Sequence, residues 1–335
     1  MQRSVLALVG SESLLGKEIR EVADSYVPSA RLQLVGADAS SIFSEDEGEP
    51  VIITGMDEVS LGEAQVAALA GTSESSRAAY AILSKLDRPP AVVDATQTLE
   101  DHPRARLRAP MAEPQGYTAE PDAVHVIAHP AAIALAVFFG RLHPRYAVRR
   151  AVVQIFEPAS EQGQRGLNEL QQQTVSLLSF KQLNKEVYDE QVSFNLLARY
   201  GSEAPRALED IEATIERHLA TLLSRSSGAP MPSMRLIQAP VFHGYSFSIW
   251  VQFEENPGEQ AIAEALASAM IETRAKDEEP PTNVGVTGQT GLTVGVIERD
   301  RNDAQACWFW AVADNLRIMA ENALLVARPL LERAQ

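Results

Sequence analysis

The sequence is poor in cysteine, in basic residues and in long apolar runs, and each shortage removes a class of function. A single cysteine, Cys307, among 335 residues excludes an intrachain disulfide. Twenty-nine Lys and Arg stand against 45 Asp and Glu, a formal charge of −16. No basic stripe remains to meet a phosphate backbone or an anionic bilayer, so neither nucleic acid nor membrane is an expected partner. No apolar segment approaches the roughly 20 residues that span a bilayer. The opening MQRSVLALVG lacks the apolar core and small-residue cleavage site of a signal peptide, and a reducing, cytoplasmic setting is expected. What is present, 45% apolar and 22% charged residues, suffices for two domains with separate cores.

The chain opens with a β-type run, Ser4–Val9, then GSESLLG (Gly10–Gly16), a helical segment Lys17–Val27 and a second β-type run, Arg31–Gly36, followed by Asp38. Strand, glycine turn, helix, strand and acid is the dinucleotide-binding order, in which glycines admit the pyrophosphate to a helix N-terminus and the acid receives ribose hydroxyls. Gly10, Ser13, Leu15, Gly16 and Asp38 are therefore candidate cofactor contacts, with Ala70 and Gly71 after the next buried strand. The glycine spacing is incomplete. Ser13 stands where a middle glycine would let phosphate approach, and Glu12 adds a negative charge beside it, so a plain βα turn is the competing reading.

Further β-type runs at Glu49–Thr54, Val66–Ala70 and Ala91–Ala95 extend a doubly wound parallel sheet. From about residue 145 the pattern changes to longer alternating runs: AVRRAVVQIFEP, MRLIQAPVFHGYSFSIWVQFE and TVGVIERDRNDAQACWFWAVA. These suit an antiparallel or mixed sheet with one solvated face. Helices are expected at Gln162–Leu178, Ala204–Leu223 and Glu259–Arg274, with an amphipathic helix closing the chain. Linkers are expected near Asp101–Pro121 and Lys276–Asn283. The fold class is α/β: a Rossmann-type domain from residues 1–128 and 314–335, and a central α+β dimerisation domain from 129–313.

HPAAIALAVFFGRL (129–142) begins as a catalytic loop does, a proline turn entering a helix whose dipole stabilises an anion, yet offers only alanines where a nucleophile would sit. Several runs carry a resemblance. VLALVGSESLLGKEI, AVVDATQ, VIAHPAAIA, SFNLLA, APVFHGYSFSIWVQ, VGVIERD and WAVADNLR are similar, across nearly the whole chain, to segments of the aspartate-semialdehyde dehydrogenase family. The resemblance implies an NADP-binding Rossmann domain, a dimerising central domain, a place in amino-acid biosynthesis, and a cysteine thiolate that attacks an aldehyde before hydride transfer.

Carried over by position, the resemblance places the nucleophilic cysteine on Ala132, a nearby glutamine on Glu157, the substrate-binding arginine on Gln238 and the histidine acid/base on Tyr245. A phosphate-binding arginine falls on Glu100, and the arginine that would hold the NADP 2′-phosphate has no counterpart in GADASSIFSEDEGE. The sequence is similar to the Usg-like branch that lacks the cysteine. A catalytically silent homodimer is the leading expectation, binding no dinucleotide or binding NAD weakly. The alternative is an NAD(P)-dependent oxidoreductase on another substrate with Tyr245 or His243 as acid/base, His243 sharing a strand face with Tyr245 if the pleat is regular. A third possibility is a silent subunit paired with an active relative. Cys307, among aromatics in an alternating run, reads as a core residue, and His125 with His129 lacks a carboxylate or thiol at ligand spacing, so no metal is expected.

Overall fold

The computed structural model describes residues 3–333, apart from 39, 41, 47–48, 115, 119 and 121. Two compact units result: Met1–Pro110 with Gln115–Ala128 and Met319–Gln335, and Met111–Pro114 with His129–Ile318.

The first unit runs β1 (Val5–Val9), α1 (Leu14–Tyr26), β2 (Arg31–Val35), the hairpin β3 (Ile42–Asp46) and β4 (Glu49–Ile53), α2 (Glu58–Gly62), β5 (Val66–Leu69), α3 (Ser73–Leu83), β6 (Ala91–Asp94), β7 (Ala105–Arg108) and β8 (Val124–Ile127). Six strands form a wholly parallel sheet in the order β2-β1-β5-β6-β8-β7. Every residue of β1, β5 and β8 is buried, as an apolar run covered on both faces requires. Helix α1 begins three residues earlier than the apolar spacing predicts because Ser13 caps it, accepting the Gly16 N–H. Its inward residues Ile19, Val22 and Ala23 follow helical spacing.

The expected linker at Asp101–Pro121 is corrected in part. β7 lies inside it as an edge strand paired with β8, where Arg106 is partly exposed and ion-paired with Glu120 while Arg108 is buried against His125. Residues 115, 119 and 121 of that segment lie outside the described residues.

The second unit runs α4 (Pro130–Leu142), β9 (Val148–Glu157), a 3₁₀ turn at Ala159–Gln162, α5 (Gly163–Leu178), α6 (Leu208–Arg225), β10 (Ser233–Gln238), β11 (Tyr245–Phe253), α7 (Glu259–Leu266), β12 (Ile271–Thr273), β13 (Leu292–Arg299), β14 (Ala306–Ala313) and the start of α8 (Asn315–Arg333). Its six-stranded sheet has the order β10-β9-β11-β14-β13-β12 and is mixed: β9, β11, β14 and β13 are antiparallel in turn, while β10 and β12 run parallel to their neighbours. Helix α7 ends eight residues before the expected Arg274. Ser268 Oγ accepts the Met270 and Ile271 N–H groups, turning the chain so that Ile271–Thr273 pairs with β13.

Alternation in the long strands sorts the two faces. Val153, Ile155, Phe247, Ile249 and Val251 are buried, whereas Val152, Trp250 and Trp308 on the opposite face keep solvent contact. Asp300 Oδ2 accepts the indole N–H of both Trp250 (2.9 Å) and Trp308 (2.8 Å), fixing those rings on the open face.

One glycine sets the geometry of the first turn. A Cβ on Gly16 would stand 2.3 Å from the Gly10 carbonyl oxygen and 2.8 Å from Ser11 backbone carbons, none of which can rotate away. Gly16→Ala is expected to cost about 3 kcal/mol, read as a lower urea midpoint at unchanged m-value.

Candidate functional site

The second unit gathers the positions flagged in its half of the sequence. Ala132 lies in the first turn of α4, Glu157 ends β9, Gln238 ends β10 and Tyr245 begins β11. The parallel pairing of β9 with β10 sets Glu157 opposite Gln238, and the antiparallel pairing of β11 with β9 brings Tyr245 to the same end of the sheet. Ala132, Glu157 and Gln238 are fully buried and Tyr245 is 1% exposed.

Internal hydrogen bonds consume the polar atoms there. Gln238 Nε2 donates to the carbonyls of Glu157 (3.0 Å) and Ala239 (3.0 Å), and its Oε1 accepts the Tyr200 hydroxyl at 2.6 Å. The Tyr200 hydroxyl is also 3.2 Å from Glu157 Oε1, which accepts Gln162 Nε2–H at 3.0 Å. Among the described residues Glu157 Oε2 is buried without a hydrogen-bond partner, and the Tyr245 hydroxyl lies beside the Glu161 carboxyl.

His129 caps α4 and is 1% exposed. Its Nδ1 accepts the Ala131 N–H (3.3 Å), which places the proton of the neutral ring on Nε2, 3.4 Å from Glu161 Oε1. The His129 backbone N–H donates to His218 Nδ1 at 2.9 Å. Asn315 Nδ2 donates to Glu161 Oε2, and Asn315 Oδ1 accepts from Ser160 Oγ and Gly244 N, tying the 3₁₀ turn to the entry of β11.

Burial sets the charge states. Desolvation, with the neighbouring Glu161 carboxyl, pushes Glu157 up to about 8, against hydrogen bonds from Gln162 and Tyr200 that oppose the rise. Desolvation likewise raises Glu161 to about 7. His129 is held well below its ordinary value by desolvation and by the positive potential of His218 and Arg206, and is neutral at pH 7. The Tyr245 phenol is driven well above its ordinary range by burial and by both carboxyls, so it does not ionise in the neutral range.

One reading from sequence is corrected. His243 does not share a strand face with Tyr245: Gly244, at φ +82°, breaks the pleat, β11 starts only at Tyr245, and His243 lies in the preceding loop with its carbonyl bonded by Asn283 Nδ2. His125 lies in β8, 3.2 Å from an Arg108 nitrogen, while His129 is a helix cap. No group of three metal-ligating side chains occurs among the described residues. Cys307 is buried in β14 and desolvation raises its thiol.

Glu161, His218, Tyr200 and Asn315 were not flagged from sequence. His218 offered a signal, because it falls among Ile211, Ile215, Leu219 and Leu222 on the buried face of α6. Asn315 lies within WAVADNLR.

In the first unit the glycine turn joins β1 to α1. Ser13 Oγ donates to the Ala70 carbonyl (2.6 Å) while accepting Gly16 N–H (2.8 Å). Gly10, at φ +75°, packs so closely on Gly71 that a Cβ would stand 2.3 Å from its Cα. Leu15 is half-buried in the first turn of α1. Glu12 Oε1 accepts the Ala37 N–H just beyond β2 (2.8 Å), and Asp38, exposed, accepts the Ser40 N–H. Glu100 lies in the turn after β6, whose Asp94 carboxylate accepts Thr96 and Leu99 N–H groups.

These residues fit an NADP molecule poorly. The glycines are spent on backbone packing, Ser13 is bonded on both sides, and the end of β2 is met by the carboxylates of Glu12 and Asp38, while residues 36–58 contain no Lys or Arg.

Residues 140–318 match the family described as semialdehyde dehydrogenase, dimerisation domain. An aspartate-semialdehyde dehydrogenase of Rickettsia bellii is 25% identical over 340 residues, covering 98% of this chain and 97% of the relative. A USG-1 protein homolog of Pseudomonas aeruginosa is 33% identical over 175 residues, 52% of each chain. The solved structure of a probable aspartate-semialdehyde dehydrogenase from Pseudomonas aeruginosa superposes with a TM-score of 0.81 at 25% identity, covering 100% of both chains. Its sheet architecture and these matches together establish that the chain belongs to the semialdehyde dehydrogenase family.

Proposed function

We propose that the protein is a homodimeric relative of aspartate-semialdehyde dehydrogenase that does not carry out thiol-dependent aldehyde oxidation. The observation that carries this reading is Gln238. At the position the resemblance gives to a substrate-binding arginine stands an amide with its oxygen and nitrogen bonded internally, and both Gln238 and its neighbour Glu157 are fully buried. A substrate carboxylate would have to displace the Tyr200 and Glu157 contacts and would meet a neutral donor instead of a guanidinium, forgoing a charge-assisted bond worth about 1.5–3 kcal/mol. Ala132, at the nucleophile position, has no atom that adds to an aldehyde.

With aspartate semialdehyde, phosphate and NADP, the purified protein is expected to produce no NADPH above the uncatalysed rate. Turnover that disappears when a residue of this chain is changed would overturn the reading. The competing oxidoreductase without a thiol is less favoured, since Tyr245 stays protonated and His243 lies in the loop before β11.

A dimer explains the open face of the second sheet. Val152 and Trp308 there are 36% and 40% exposed, and near the end of α5 Leu178 and Phe180 are 71% and 99% exposed. Apolar groups gathered so densely on one unit mark an interface. Light scattering is expected to give twice 36.4 kDa. Trp308→Glu, which sets a charge on the open face, is expected to shift the protein toward monomer; a monomeric wild-type protein would remove the proposal. Association with an active relative would instead appear as co-purification of a second chain from the native source. Among the described residues no helix is long and apolar enough to cross a membrane.

A further inference from the structure

We propose that Glu12 is an internal occupant of the nucleotide crevice of the first unit, a side chain that closes the site to dinucleotides. The inference deepens the reading of a silent family member by naming the residue that decides cofactor exclusion.

In doubly wound sheets a dinucleotide lies across the carboxyl ends of the strands, its pyrophosphate at the first helix N-terminus and its adenosine ribose at the end of the second strand. Glu12 belongs to the turn between β1 and α1, and its carboxylate reaches to the residues that follow β2, where Oε1 accepts the Ala37 N–H at 2.8 Å. One side chain thus spans the two places that pyrophosphate and ribose would take. It sets its own negative charge beside the N-terminus of α1, whose first turn holds no acidic residue.

The carboxylate is only half satisfied. Among the described residues, Glu12 Oε2 is buried without a partner, and so is the hydroxyl of the adjacent, fully buried Ser11. Buried polar atoms without partners are costly, and two at one turn mark a place shaped for something other than packing. The neighbouring groups add to the exclusion. Ser13 Oγ already bridges Ala70 O and Gly16 N, and the Gly10–Gly71 contact leaves no room at that glycine. Asp38 contributes a second carboxylate after β2, which disfavours a 2′-phosphate independently of Glu12.

The division of roles gives separable outcomes. Removing Glu12 lifts the block shared by both dinucleotides, whereas Asp38 still discriminates against NADP. Full-length wild-type protein, Glu12→Ala and Glu12→Gln are titrated with NAD and with NADP by calorimetry, without substrate. Wild type is expected to bind neither tighter than millimolar. Glu12→Ala is expected to tighten NAD at least tenfold and NADP less. Glu12→Gln, which keeps an acceptor for Ala37 N–H and loses the charge, is expected to fall between, and covers the case in which the alanine variant does not fold. Unchanged NAD affinity in both variants would overturn the proposal. Weaker NAD binding in the variants would also overturn it, showing Glu12 to be a ribose acceptor instead of an occupant. Turnover of aspartate semialdehyde by the wild-type protein would overturn the functional reading and not this one, because the affinities are measured without chemistry.

Discussion

Glu157→Gln is expected to stabilise the second unit above pH 7 and to flatten its pH dependence. The folded protein holds the Glu157 carboxyl up to about 8, whereas an unfolded chain releases that proton near its ordinary value of 4.5. Between those values the native state binds more protons than the unfolded state, so stability falls as pH rises until the folded group itself ionises near 8. The slope is about 1.4 kcal/mol per pH unit for one such group. Glu161, held at about 7, adds to the fall up to that pH.

His129 acts in the opposite sense. Its lowered value means that the unfolded chain gains a proton below about 6.5 that the native chain refuses, so its contribution to stability is lost as pH falls. Acid and base effects oppose each other below 6.5, and the carboxyls dominate from 6.5 to 8. Trp250, Trp308 and Trp310, the only tryptophans, all lie in the second unit, so tryptophan fluorescence in urea follows that unit. The wild-type midpoint is expected to drop across pH 6.5–8 and that of Glu157→Gln to drop much less, with the two converging near pH 5. Parallel curves would show that Glu157 is ionised in the native state.

The parts legible in the sequence were those whose cause is local. β1 and β6 announce themselves as short apolar runs because both faces are covered, and the long alternating strands of the second unit because one face is open. The start of α1 is less legible, because Ser13 stands at a position where a dinucleotide turn has glycine, yet acts as the helix cap. β7 was missed since Ala-Arg-Leu-Arg is a strand only by virtue of its pairing with β8. The spacing extends α7 too far because alanines and methionine continue it past Ala267, where a serine turn ends the helix.

The site divides in the same way. Ala132, Glu157, Gln238 and Tyr245 were found by resemblance, and strand register explains why the last three converge. Nothing local in the sequence shows that Tyr200, 38 residues before Gln238, occupies its amide oxygen, or that Glu161 faces the imidazole of His129. Such contacts depend on which loop crosses the sheet end, a long-range property that periodicity does not encode. They matter most for the proposed function, because they engage the polar atoms of Gln238 and Glu157 within the fold.

Ala132→Cys should therefore fail to restore turnover. A cysteine acts as a nucleophile only as thiolate, which needs a positive environment or an adjacent base. The N-terminus of α4 offers the dipole of one helix end. Against it stands complete burial at Ala132, an environment that already raises the other thiol of this chain, Cys307. The position the resemblance gives to the base holds Tyr245, a buried phenol with no free basic site in the neutral range, and His129 turns its protonated Nε2 toward Glu161, leaving Nδ1 bonded to Ala131. Gln238 remains committed to Tyr200 and Glu157, so a substrate carboxylate still finds no anchor. Loss of a covalent nucleophile commonly costs about a millionfold, and members of a catalytic unit act non-additively, so returning one of them recovers almost nothing. Two measurements check this: NADPH formation from aspartate semialdehyde, expected to stay at background, and iodoacetamide labelling of native Ala132→Cys, expected to be at least 100-fold slower than after unfolding. Rapid labelling with measurable turnover would mean that the cluster opens readily and that a single substitution had silenced the enzyme.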